Sequence, residues 1–252
     1  MIRFFALLLV TIPLAHAQQQ DAVDAYIIGD YREATDLASA SELPDDLAFA
    51  AQSVLAEAMS METGEPSQSA LEQAQGLAEK ALEVDESHIH ARLQLAISLS
   101  LQARPMSNRQ VRRSGLGQRA KALADEVVQE DAGNVYARGL LAVWNVEVLR
   151  RGGRIGGRIM GASINAGRTH YETGAALTPD DGALHWQWAR VLAATNPGKY
   201  RSEIDAALSA SVSANTDDAL EGVMQARAMR LRELMATAAT PREIKAAAKE
   251  ML

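Results

Sequence analysis

The chain has 252 residues, a formal net charge of −7 and no cysteine. The lack of cysteine excludes disulfides, thiolate metal sites, thiol nucleophiles and the acylated cysteine that anchors a bacterial lipoprotein. Alanine is abundant, aromatic residues make up only 4% of the chain, and no run of alternating β-branched residues is evident. This composition favours close-packed small helices over a sheet sandwich, so we predict an all-α protein.

The first seventeen residues, Met1–Ala17, have the pattern of a secretory signal peptide. One basic residue precedes an apolar run over 4–14, and Ala15-His16-Ala17 fits an A-x-A cleavage site. The apolar run is about half of the ~20 residues that a membrane-spanning helix needs. The sequence therefore predicts a periplasmic mature protein over 18–252, organised as one domain. An uncleaved N-terminal anchor is the alternative.

The sequence of the mature chain predicts about twelve helices joined by short turns. Proline and aspartate at helix starts, serine or threonine caps, and apolar residues at helical spacing mark them in order. The clearest helices are expected over 18–28, 67–84, 135–149, 217–235 and 240–251. The Gly/Arg-rich stretch over 150–168 follows one of them, and the conformation of 152–161 stays open.

A joint between two helices recurs at a long interval. At the first joint the apolar pair Ala81-Leu82 is followed by Asp85 and His90, and each landmark has a counterpart 46 residues later. A third joint at Asp180 and His185 is placed 49 residues further on. A fixed long period of helix–turn–helix units indicates a solenoid, in which each unit buries its apolar side against its neighbours.

Three further features point to a family. They are Ala78-x-x-Ala81-Leu82-x-x-Asp85-Glu86-Ser87, the basic helices after Arg104 and Arg150, and Tyr171-x-x-Gly174-Ala175-Ala176-Leu177-x-Pro179. The mature chain resembles a tetratricopeptide-repeat (TPR) array, and within it Leu71–Ala189 is similar to the repeat domain of the regulator-of-microtubule-dynamics family. The resemblance implies a TPR-like solenoid of antiparallel helix pairs without enzymatic activity. It also implies partner binding, with association with membranes or lipids as a further property of that family.

Two basic blocks stand one repeat apart in this acidic protein. The first lies over 104–121 and the second over 150–168, and neither contains an acid. We expect equivalent positions in adjacent repeats to form one positive edge that attracts anionic head groups or an acidic partner. The alternative is that these arginines cap helix ends and face water. The residues assigned to the edge are Arg109, Arg112, Arg113, Arg150, Arg151, Arg154 and Arg158.

The register of the repeat also predicts an apolar concave groove. Leu93 and Ile97 stand where a carboxylate-binding repeat has lysine and asparagine, so a carboxylate clamp is not expected. An apolar groove suits an acyl chain or an amphipathic helix of a partner. The alternative is that the register is displaced and these residues are core. The predicted groove residues are His90, Leu93, Ile97, Tyr136, Val143, His185, Trp188 and Leu192.

No catalytic, cofactor or metal site is predicted. The glycines over 152–161 lack the Gly-Lys-Ser/Thr ending of a phosphate loop, and His88 and His90 are two residues apart, which separates their side chains on a helix. Nucleic acid is not expected as a partner, because the chain is exported and poor in aromatic residues. The leading hypothesis is an exported scaffold that binds another envelope protein. The alternative is a carrier of lipid or another amphiphile, and an enzyme ranks third.

Overall fold

A computed structural model of the chain describes residues 11–61 and 66–251, with side chains from Gln19 onward. These residues form thirteen α-helices and no strand, which confirms the all-α prediction. The helices are α1 (Thr11–Ile28), α2 (Tyr31–Ser39), α3 (Pro44–Ser60), α4 (Gln68–Val84), α5 (Ile89–Ala103), α6 (Asn108–Ser114), α7 (Leu116–Glu130), α8 (Val135–Met160), α9 (Ile164–Leu177), α10 (Gly182–Thr195), α11 (Arg201–Ser213), α12 (Ala219–Ala236) and α13 (Pro241–Glu250).

The predicted signal peptide lies largely outside the described residues. Helix α1 begins at Thr11 and continues through the expected cleavage site at Ala17. Cleavage and export stay predictions, as does the division into 1–17 and one domain over 18–252. Among the described residues, none of the helices combines the length and hydropathy that crossing a bilayer requires.

The helices pack in two layers. Helices α3, α5, α8, α10 and α12 form an inner layer, in which each contacts the next. Helices α2, α4, α7, α9 and α11 form an outer layer, and each of them packs against the inner helix that follows it. Helix α6 is an extra short helix between α5 and α7, and α13 packs against α10.

Three joints between outer and inner helices share one geometry. At the end of each outer helix, a backbone N–H group donates a hydrogen bond to the carbonyl four residues earlier; the donors are Asp85, Asp131 and Thr178. Each following inner helix begins at a residue whose side chain accepts a backbone N–H, namely His88, Asn134 and Asp181. The capping residues are therefore separated by 46 and 47 residues. Such caps satisfy one of the N–H groups that the first turn of a helix leaves free.

A second hydrogen bond, from a side chain to a backbone carbonyl, recurs at equivalent positions of the three joints. The guanidinium of Arg92 donates to Glu86 O at 2.8 Å, and that of Arg138 donates to Ala132 O at 2.9 Å. In the third joint His185 Nε2 donates to Pro179 O at 2.8 Å, again six residues back. His185 thus takes the place of these arginines. The predicted interval of 49 residues at the third joint was wrong by two residues.

The inner layer curls back on itself. Helix α12 contacts both α1 and α3, so the last repeat meets the first. The buried Arg227 of α12 donates to Met59 O at 2.8 Å and Met61 O at 2.6 Å, at the carboxyl end of α3. Because the largest core cluster runs from Ala25 and Tyr26 to Met251, the two ends of the array share one core.

Two glycines account for two of the departures from the predicted helices. Gly115 has a φ of 70° and divides the helix expected after Ser107 into α6 and α7. Helix α8 extends past the expected end at Leu149 to Met160, with a kink at Gly153, where φ is 61° and ψ is −163°. That backbone conformation is essentially restricted to glycine. The segment 152–161 is therefore a kinked continuation of α8.

Candidate binding cleft of the inner helix layer

The inner helices line an open cleft of about 950 Å³. All five inner helices contribute to its wall, together with Tyr26 of α1 and residues of α6. Side chains of α5 and α8 supply most of the apolar wall, including Leu93, Ile97, Leu101, Leu140, Val143 and Val148. A largely apolar concavity of this volume falls in the size range of ligand sites.

Five of the predicted groove residues come together in this cleft: His90, Leu93, Ile97, Tyr136 and Val143. The Nε2 of His90 lies 2.8 Å from Gln52 Oε1, so α5 and α3 are joined across the wall. Burial lowers the pKa of His90, and the neighbouring His88 lowers it further. The exposed ring of Tyr136 stands at the end of the cleft where the inner helices begin.

The other three predicted groove residues lie in the core. His185, Trp188 and Leu192 are buried, and Trp188 stacks on Tyr171 with 5.0 Å between ring centroids. The Tyr171 hydroxyl and His185 Nδ1 are 2.9 Å apart, and the ring nitrogen accepts because its Nε2 donates to a carbonyl. The cleft side of α10 consists instead of Ala183, Leu184, Gln187 and Arg190.

The two-residue error in the interval of the third joint explains why the predicted groove residues of α10 lie in the core. Each residue turns an α-helix by about 100°, so a displacement of two residues moves a position by about 200°, to the opposite face. The capping residues carried the missing signal. Aligning the capping residue Asp181 with the capping residue Asn134 gives an interval of 47 residues and selects Ala183 and Arg190 as the counterparts of Tyr136 and Val143.

Arg150 and Arg151 of the predicted positive edge have structural partners. Arg150 forms an ion pair with Glu147 of the same helix. The half-buried Arg151 donates to Ala103 O at 3.1 Å and to Met106 O, which caps the carboxyl end of α5. Burial lowers the pKa of Arg151. In return, Asn108 Nδ2 donates to Arg151 O at 2.8 Å, so the two basic blocks meet here.

The remaining edge residues are exposed. They make no hydrogen bond or ion pair within the described part of the chain, and they are Arg109, Arg112, Arg113, Arg154 and Arg158. Arg112 lines the cleft, as do Ile155 and Ile159, which follow the kink of α8 and alternate with Arg154 and Arg158. This end of the cleft is therefore basic.

The opposite end of the cleft is acidic. Asp181, Asp218 and Glu221 line it beside Tyr136. Although the Tyr136 ring is exposed, partial desolvation by the surrounding cleft wall raises the pKa of its hydroxyl, and these three carboxylates raise it further. The pKa of Glu221 is raised by burial and then by neighbouring aspartates, including Asp218. Acids thus cluster where the inner helices begin and arginines where they end, which matches the direction of the helix dipoles.

Among the described residues, no three His, Cys, Asp or Glu side chains are placed to hold a metal ion. No family model matches the chain, and no curated protein matches it. Among solved structures, the crystal structure of a thermophilic TPR protein of Thermus thermophilus is similar. The TM-score is 0.62 at 14% identity, over 86% of this chain and 99% of that chain.

The fold is TPR-like. At 14% identity the likeness concerns the fold alone, and it confirms the helical-repeat solenoid expected from the recurring joints. In a TPR-like array, one helix of each pair faces the concave side, which here corresponds to the inner layer and its cleft.

Proposed function

We propose that this protein is an exported, non-enzymatic scaffold that binds another envelope protein through the cleft. The observation that carries the proposal is the open, largely apolar cleft of about 950 Å³ on the concave side of a TPR-like fold. Tyr136 supports it, since 62% of this residue is exposed at the cleft. Exposed aromatic side chains in concave surfaces are frequent anchors of protein interfaces.

Photo-crosslinking in living cells tests the scaffold function. A photoreactive amino acid replaces Tyr136 or Leu140 in the cleft, and the control replaces the exposed Gln73 on outer helix α4. The proposal predicts one discrete protein adduct from both cleft positions and none from position 73. Equal labelling from all three positions, or no adduct from the cleft, would contradict it.

Export rests on the pattern of Met1–Ala17 and has its own test. The protein isolated from a periplasmic extract of its native host should have the mass of a chain that begins at Gln18. A full-length mass together with a cytoplasmic location would contradict export. It would leave the scaffold function in place, because the cleft does not depend on the first seventeen residues.

A second candidate function is an amphiphile carrier. The observation that favours it is the pair Ile155 and Ile159, which are 75% and 73% exposed and alternate with the unpaired Arg154 and Arg158. Such a segment suits an acyl chain and an anionic head group. Native mass spectrometry of the purified protein would show retained lipid for a carrier and none for a scaffold. Charge reversal at 112, 113, 154 and 158 should then abolish binding to anionic liposomes.

The narrower likeness of Leu71–Ala189 to the regulator-of-microtubule-dynamics repeats is also a proposal. Its support is the pattern of residues at the joints and the basic helices that follow them. The proposed scaffold function is independent of this likeness, since it depends on the cleft and on the residues that line it.

A further inference from the structure

The cleft carries opposite charges at its two ends. Asp181, Asp218 and Glu221 line one end, and Arg104, Arg112 and Arg151 line the other. Helix α8 runs between them from Tyr136 to the kink, a distance of about 24 Å at a rise of ~1.5 Å per residue. Most of the wall between the two ends is apolar.

The other charged groups on this wall are already engaged. Glu147 pairs with Arg150, and Arg190 Nε donates to Gln187 Oε1 at 3.0 Å. At the acidic end, the caps Asp181 and Asp218 accept helix N–H groups, and Glu221 accepts the N–H of residue 217 at 2.7 Å.

None of the three carboxylates at the acidic end has a basic partner within the described part of the chain. At the basic end, Arg112 is likewise without an acidic partner among the described residues. Both ends of the cleft therefore present charge to whatever enters it, and the two charges have opposite signs.

The dimensions of the cleft suit a thin occupant. A helix about 24 Å long and ~10 Å across has a volume of about 1,900 Å³, so in a cleft of about 950 Å³ much of its surface would stay outside. An extended chain advances about 3.3 Å per residue, so about seven residues span the same length with a much thinner cross-section. The cleft therefore fits an extended segment.

We propose that the cleft binds an extended segment of the partner protein, about seven residues long, with a basic end, an apolar centre and an acidic end. The basic end lies against Asp181, Asp218 and Glu221, and the acidic end lies against Arg112. A fatty acyl chain fits less well, because its apolar tail would have to lie against the three carboxylates. This inference rests on the proposed scaffold function and specifies the chemistry of the partner.

Binding of three synthetic peptides to the purified full-length protein tests the inference. The fluorescein-labelled heptapeptides have blocked ends and the same three-residue apolar centre. The bipolar peptide has two lysines on one side of the centre and two glutamates on the other, and the controls have four lysines or four glutamates. Fluorescence anisotropy should give a Kd for the bipolar peptide about tenfold lower than for either control, because each control brings like charges together at one end.

Variants of the protein locate the effect. Asp181→Asn, Asp218→Asn and Glu221→Gln together remove the acidic end, while asparagine keeps the N-cap hydrogen bonds. This variant should bind the bipolar and all-glutamate peptides equally. Arg112→Glu should abolish the advantage of the bipolar peptide over the all-lysine peptide, whereas Arg113→Glu, on the exposed face beside it, should not. Circular dichroism verifies that each variant is folded.

The possible results separate this inference from the scaffold function. Equal affinity for all three peptides, or no binding of any of them, overturns the inference even if the cleft crosslinks a partner in cells. Binding of phosphatidylglycerol vesicles in place of the peptides overturns it in favour of the carrier. The expected ranking, with its loss in the two end variants, supports it whether or not the crosslinked partner has been identified.

Discussion

His90 combines a position in the cleft wall with a perturbed ionisation. Burial lowers its pKa in the folded protein below the value of about 6.5 that is typical of an unfolded chain. The unfolded state then binds more protons around this pH, so the contribution of neutral His90 to stability is complete above about pH 6.5 and declines as the pH falls. His170 has the same direction of pKa shift, also from burial.

We therefore predict that His90→Gln weakens the loss of stability on acidification. Denaturant unfolding of the wild type and the variant at several pH values between about 5 and 7.5 measures the slope of the free energy of unfolding against pH. The slope should be smaller for the variant, with a remainder from His170. Identical slopes would show that His90 is not desolvated in the folded protein.

Arg138 illustrates how one side chain fixes a joint. Its guanidinium donates twice to Ala132 O, as Arg92 does to Glu86 O in the preceding repeat. Arg138→Ala leaves that carbonyl without its side-chain donors and should lower the free energy of unfolding by about 1–2 kcal/mol. Arg232→Ala is the control, because Arg232 is exposed on α12, and its effect should stay within about 0.5 kcal/mol. Equal effects of the two changes would contradict a structural role for Arg138.

At the scale of a single element, α8 depends on the kink at Gly153. The kink aims the last turns of the helix so that Ile155 and Ile159 reach the basic end of the cleft. Its neighbour Gly152 has helical backbone angles, and a Cβ added to either glycine would meet no other atom within 4 Å. The two residues thus differ in backbone conformation and not in available space.

This pair allows a matched test of the kink. Gly153→Ala should lower the free energy of unfolding by about 1–3 kcal/mol, because its backbone conformation is strained for any residue with a Cβ. Gly152→Ala should raise it by about 0.4–1 kcal/mol, because alanine restricts the unfolded chain. Chemical denaturation of both variants gives the two values. Stabilisation by both substitutions would mean that α8 continues without a kink.

Across the whole molecule, the local signals in the sequence predicted the fold better than the register of the site. The helix boundaries follow from caps and turn residues, so Thr240 and Glu243 correctly placed the start of α13. The groove face depends on the exact repeat interval, and two residues decided whether α10 presents Ala183 or His185 to the cleft.

Long-range contacts left no signal that could be read from the sequence. The bonds from Arg227 to the end of α3 join residues more than 160 positions apart, and no periodicity indicates them. The same holds for Arg151, whose role in capping α5 looks like surface charge in the sequence. The predicted edge therefore divided into two structural arginines and five exposed ones.

Binding of a partner requires an open cleft, and the 47-residue interval decides which residues of α10 line it. The chain has no cysteine, so a single introduced thiol reports its own accessibility. Ala183 lines the cleft, whereas Ala189, on the same helix, is 0% exposed. The half-buried Ala183→Cys should be labelled in the folded protein, and Ala189→Cys should be labelled more slowly by several orders of magnitude, because it must await unfolding. Equal protection of both positions would contradict the open cleft.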